Sequence, residues 1–228
     1  MGGMSVSRRR PACLALVVTI IAVGCATTQT TPEMTRLQAR DAYERAMTAM
    51  RDRQVPVALS AFREAIALDS SVPIYHNNFG LFLLQQLGRP DLALYEFHAA
   101  VELDPQYADA HFNLGIARAE MSQWTEALEA YKKALAIPTL TVPHLVHHNI
   151  GLALYHLKRY QEAEASLRVA LSLEPKMEGA YYNLGLVYVA VGRREDARLA
   201  FKAARDLAPQ STFGQAARQK LKDLEGGG

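Results

Sequence analysis

Residues 108–138 read ADAHFNLGIARAEMSQWTEALEAYKKALAIP, and this stretch decides the fold. Its first half carries Leu114 and Gly115 in a helical pattern. Its second half sets Ala127, Tyr131 and Ala134 four and three residues apart, on one helical face, ahead of Pro138. Proline disfavours helical geometry in the residue before it, so the second helix stops there. The same landmarks recur in both directions. Gly80, Gly115, Gly151 and Gly185 follow one another at 35, 36 and 34 residues, and Ala58, Ala93, Ala127, Ala163 and Ala197 at 35, 34, 36 and 34. Four residues beyond each of these alanines stands Phe62, Phe97, Tyr131, Leu167 or Phe201, and three further on Ala65, Ala100, Ala134, Ala170 or Ala204. Pro105, Pro175 and Pro209 close three units, and Pro138 closes one a residue early. Several independent series sharing one period mark an internal repeat.

This spacing resembles the tetratricopeptide repeat (TPR), a helix with Leu-Gly followed by a helix with Ala, an aromatic and a terminal Pro. The resemblance implies an all-α fold, a right-handed superhelix (α-solenoid) of five helix-turn-helix repeats over 39–211. The expected units are 39–72, 73–107, 108–142, 143–177 and 178–211. A capping helix and glycine tail follow over 212–228, where Phe213, Ala217, Leu221 and Leu224 share one face. Close packing explains the landmarks: the small residue lets the paired helices approach, and the aromatic fills the space between neighbouring units. The segments Gly88-Arg89-Pro90 and Gly192-Arg193 supply turns between paired helices, and Pro56 and Pro90 sit where second helices begin. The first unit has Ala46 for glycine and Ser70 for proline, as terminal repeats often depart from the pattern.

With 228 residues, half of them hydrophobic, the chain is expected to fold. Its formal charge of +2 rests on Arg8, Arg9 and Arg10; without them 22 basic residues face 23 acidic ones. So even a balance gives no general attraction to nucleic acid, and none is expected as a partner.

Met1 to Arg10 carry positive charge and Cys13 to Gly24 form an apolar run of signal-peptide length, too short for a convincing membrane span. The run ends Ile21-Ala22-Val23-Gly24-Cys25, which resembles the lipobox of bacterial lipoproteins, with Ala22 where that family usually has Leu. The resemblance implies a signal peptide over 1–24, acylation of Cys25 with palmitate among the chains, and a lipidated flexible tether over 25–38. A plain secretory peptide or an uncleaved anchor is the alternative. Ala26, rather than Asp, after the cysteine implies the outer membrane, periplasmic face. The membrane is then met through the lipid anchor alone. Removal of Cys13 with the signal peptide leaves one thiol, hence no internal disulfide and no cysteine metal site.

TPR proteins line their concave groove with the first helix of each unit. Three residues before each glycine stand Asn77, Phe112, His148 and Tyr182; one after, Leu81, Ile116, Leu152 and Leu186; four after, Leu84, Ala119, Tyr155 and Val189. Only Asn77 and His148 are distinctly polar, and no Lys or Arg stands where modules that clamp acidic C-termini use one. An apolar groove suits an amphipathic helix or an extended apolar peptide. The other reading puts these leucines, Phe112, Tyr155 and Tyr182 into the core. Asn78, Asn113, Asn149 and Asn183, two before each glycine, match a TPR asparagine that either bonds a bound peptide's backbone or braces the helices.

His144, His147 and His148 cluster at the start of the fourth unit, and paired histidines at that spacing bind zinc in other settings. No acid or cysteine lies locally to complete a site, so no metal is expected. With no nucleophile motif, no phosphate-cradling glycine loop and no recognisable acid/base pair, neither an enzyme nor a cofactor is expected.

The stretch His76-Asn77-Asn78-Phe79-Gly80-Leu81-Phe82-Leu83-Leu84-Gln85 is similar to a segment of the Tgl/PilF/PilW-type lipoproteins of type IV pilus biogenesis, as is the whole layout. Leu84 stands where that family often has Cys, and the sixth unit is reduced to one helix. The resemblance implies a pilotin whose groove holds an apolar or amphipathic segment of a secretin subunit and promotes its outer-membrane assembly; a monomer is expected. The alternative is a periplasmic scaffold docking cell-wall hydrolases or other envelope machinery.

Overall fold

Start and stop signals spaced along the chain divide it into helices, and the computed structural model describes residues 31–226 together with Met1 and Gly2. Most of the expected signal peptide, Cys25 with its lipidation, and the first residues of the tether lie outside the described residues, as do Gly227 and Gly228. Among the described residues all regular structure is helical: α1 (Pro32–Arg51), α2 (Val55–Leu68), α3 (Pro73–Leu87), α4 (Pro90–Leu103), α5 (Ala108–Glu120), α6 (Trp124–Leu135), α7 (Pro143–His156), α8 (Tyr160–Leu173), α9 (Glu178–Ala190), α10 (Arg194–Leu207) and α11 (Thr212–Gly226). None is long and apolar enough to cross a membrane.

Consecutive helices pair as α1/α2, α3/α4, α5/α6, α7/α8 and α9/α10, and later second helices lean on the next unit's first helix. This is the five-repeat solenoid that the period implies. The last helix, α11, covers α10 and α9 with Ala217 and Leu221, giving the final apolar edge its cap. At the other end α1 begins at Pro32, inside the segment expected as a tether. The Thr31 hydroxyl accepts from the Met34 amide at 3.2 Å, Pro32 takes the first turn, and Glu33 faces the helix dipole. These three start signals outweigh the polar composition, so helix replaces tether from residue 32.

Turns inside the repeats share one device. Arg53, Gly88, Ser122, Lys158 and Gly192 all adopt left-handed backbone, with φ of 56°, 60°, 58°, 60° and 76°. Only two are glycine, so the repeat geometry imposes this conformation on ordinary side chains.

Within each unit the helix-A glycine lies under the large residue of helix B. A Cβ on Gly80 would stand 2.6 Å from Phe97 Cε1 and one on Gly185 2.5 Å from Phe201 Cε1, while Gly115 meets Tyr131 and Gly151 meets Leu167 in the same way. The aromatic therefore locks its own pair first, rather than chiefly filling the space between units. In the first unit Ala39, Ala42, Ala46 and Ala49 line α1 and pack against Ala58, Ala61 and Ala65 of α2, all buried. Its joint to the second unit is made by rings: Tyr43 stacks on Tyr75 at 4.7 Å, and Phe62 meets Phe79 at 5.4 Å and Phe82 at 5.6 Å. These bulky side chains hold α2 and α3 further apart than the backbones at later joints.

Candidate functional site: the inner face of the first helices

The first helices carry the fourteen candidate residues, and the structure sorts them into braces, core and open surface. Asn113 Nδ2 donates to Asn77 Oδ1 at 2.9 Å, Asn77 Nδ2 to Asn78 Oδ1 at 3.0 Å, and Asn78 Nδ2 to the Tyr43 hydroxyl at 2.6 Å. This chain of amides runs across α5, α3 and α1. Asn183 Nδ2 pairs with His148 Nε2 at 2.8 Å between α9 and α7. In each case the asparagine two before the small residue reaches the polar side chain three before the small residue of the preceding unit. Asn149 finds Phe112 at that place, which offers no acceptor, and bonds the Leu145 carbonyl of its own helix at 2.9 Å. Three asparagines thus brace neighbouring repeats, and Asn113 and Asn183 are only 7% and 5% exposed.

Phe112 is 8% exposed and packs with Tyr131 at 5.9 Å. It is core, not groove lining, because the Gly115 notch that admits Tyr131 draws Phe112 inward with it. Leu81, Leu84, Ile116, Leu152, Tyr155, Tyr182 and Leu186 are half-buried, and Val189 is open at 46%. Tyr182 leans on Phe201 and Phe213, each at 5.7 Å, with one side left to solvent. These apolar side chains stand at equivalent positions of α3, α5, α7 and α9, each partly reached by solvent. Ile74 and Leu145, 43% and 36% exposed, extend the set at the start of α3 and α7. Sequence reasoning missed these two and Tyr43; each stands in the repeat register, six or three residues before Gly80, Gly151 or Ala46.

The histidines diverge. His144 and His148 line a cleft of about 360 Å³ with Met177, Glu178 and Phe213, whereas His147 lines a separate cleft of about 340 Å³ with Leu128, Lys132 and Ile150. Burial holds His148 and His147 below the ordinary imidazole range, favouring the neutral ring. Among the described residues no group of three His, Cys, Asp or Glu side chains is placed to hold a metal ion. Tyr107, beside Asn77, has its hydroxyl pushed up to about 12, chiefly by burial.

Family models described as "TPR repeat" and "Tetratricopeptide repeat" match residues 83–122, 108–137 and 154–221. Type IV pilus assembly protein PilF of Pseudomonas aeruginosa is 34% identical over 125 residues, covering 54% of this chain and 48% of that protein. Small glutamine-rich tetratricopeptide repeat-containing protein 2 of Saccharomyces cerevisiae is 31% identical over 103 residues, 45% of this chain and 30% of that one. The chain therefore spans about half the length of PilF or less of such relatives. Among solved structures, PilW, described as a widely conserved type IV pilus biogenesis factor, superposes with a TM-score of 0.71 at 21% identity, covering 82% of this chain and 90% of that one. YrrB, described as a TPR protein with an unusual peptide-binding site, gives 0.66 at 21% identity, covering 85% and 98%. At such identities these likenesses establish a shared fold.

Proposed function

For this tetratricopeptide-repeat solenoid, related to type IV pilus assembly proteins, we propose the role of an outer-membrane lipoprotein pilotin. Acyl chains on Cys25 hold it to the periplasmic face, and its inner strip takes an apolar or amphipathic segment of a secretin subunit until the ring assembles. One acyl chain alone binds a membrane with only about 10⁴ M⁻¹, so the several chains of a lipoprotein are what make attachment lasting.

The observation that carries this reading is the half-exposed row Leu81, Leu84, Ile116, Leu152, Leu186 and Val189 on successive first helices. An apolar ligand covering on the order of 500 Å² there gains about 12 kcal/mol gross at roughly 25 cal/mol per Å². Association and ordering remove much of it, leaving a micromolar to nanomolar complex, tight enough to escort a subunit and weak enough to release it. The relation to PilF and the lipobox-like segment ending at Cys25 supply the setting.

Deleting the gene and asking whether heat-resistant secretin multimers disappear tests the proposal. Their loss, with rescue by the wild type but not by Val189→Lys, supports it. Normal multimers in the deletion strain, with co-purification of peptidoglycan hydrolases, would instead make the protein an envelope scaffold.

A further inference from the structure

The aromatic joint between the first two repeats leaves a second opening, on the side of the second helices. Tyr43, Phe62, Tyr75, Phe79 and Phe82 keep the backbones apart there, and a cleft of about 360 Å³ remains between α2 and α4. Phe79 and Leu83 form its floor, and Ile66 and Leu92 its sides. Tyr95, 73% exposed, and Arg63 stand at its mouth. The single carboxylate that lines it is turned inward: Glu96, with a side chain 12% exposed, is bonded to His76 Nδ1 at 2.7 Å. Arg63 forms no ion pair among the described residues, while its neighbour Glu64 is held by Arg45 at 2.8 Å. An apolar well therefore carries one exposed, uncompensated positive charge.

We propose that this cleft is a docking site for the C-terminus of a partner chain ending in an apolar residue. The side chain enters the well, and the free α-carboxylate meets Arg63. Charge complementarity selects this occupant: a terminal residue brings both features within one unit, whereas an internal apolar segment leaves the guanidinium unmatched. Size agrees, since the volume lies at the small end of ligand sites. The site is separate from the inner strip and does not depend on what that strip binds.

The test titrates ¹⁵N-labelled protein with the hexapeptide Gly-Ser-Gly-Ser-Leu-Phe carrying a free C-terminus, and with its C-terminal amide. Shift changes gathered at Phe79, Leu83 and Tyr95 are expected, with the amide, or the Arg63→Glu variant, binding about tenfold more weakly. Ala67→Trp, which fills the mouth, abolishes binding, and Val189→Lys on the inner face leaves it unchanged. Equal affinity for acid and amide, shifts spread along α5, α7 and α9, or no saturable binding below about 10 mM overturns the proposal.

Discussion

Asn113 and Asn77, 36 residues apart in sequence, meet side chain to side chain at 2.9 Å in the buried seam between α5 and α3. The bond ties successive repeats where neither amide reaches water. Asn113→Leu leaves the Asn77 oxygen without its donor and is expected to cost about 1–3 kcal/mol. Asn149→Ala, which loses only a bond within its own helix at an exposed site, is expected to cost under about 0.5 kcal/mol. Urea unfolding of the two variants checks the contrast; equal losses would put the bracing role elsewhere.

The two kinds of glycine respond differently to alanine. Gly115→Ala drives a methyl into the Tyr131 ring and is expected to cost about 1–3 kcal/mol or more through overpacking. Gly88→Ala meets nothing within 4 Å and suffers only from φ of +60°, about 1–2 kcal/mol. Tyr131→Ala combined with Gly115→Ala should recover part of the overpacking penalty, while no such partner rescues Gly88→Ala. Denaturant midpoints of single and double variants decide this.

Inner-strip substitutions separate surface from core. Val189→Lys is expected to weaken capture of the proposed secretin segment at least about tenfold while leaving the circular dichroism and melting curve close to wild type. Phe112→Ala, at a core position, is expected to lose about 3–5 kcal/mol of stability. Thermal melts paired with pull-downs tell the two classes apart.

His76 gives the stability a pH signature. The hydrogen bond to Glu96 raises its folded pKa above the ordinary imidazole value, against the opposing effect of burial. A raised folded pKa means that the folded state binds the proton more tightly. The contribution is therefore complete below about 6.5 and is lost as pH rises through the raised value. Burial lowers His98, His147, His148 and His156, whose contributions run the other way, lost as pH falls. The difference between wild type and His76→Ala also contains the lost bond to the Ser70 carbonyl and the lost packing, so the pair is read from its pH-dependent part: about 3 kcal/mol in total near pH 5.5, shrinking towards pH 8. A difference that grows with pH would contradict the charged pair.

Much of this molecule can be read from residue spacing. Repeating Gly80, Gly115, Gly151 and Gly185 against Phe97, Tyr131, Leu167 and Phe201 requires helix pairs, because only a stacked pair gives a side-chain-free position an opposing bulky one at a fixed period. The cap Phe213-to-Leu224 and the prolines at helix starts are equally local signals. The site was less legible. Burial at Phe112 and the bracing of Asn113 and Asn183 depend on what faces them from another repeat, and no periodicity within one helix reports that. The start of α1 was masked by composition: Thr31, Pro32 and Glu33 are ordinary polar residues unless taken together as a cap.

The number of repeats and the pairing of their helices follow from period and residue type, as do the apolar residue types at the groove register of the first helices. Tertiary structure decided which of those apolar side chains meet water. It also decided that Asn149 lacks a bracing partner, and that the rings of the first joint open a cleft beside Arg63. The reason is that exposure is a property of the gap between elements, set by side chains 35 residues apart, and such gaps are fixed only when the helices have packed.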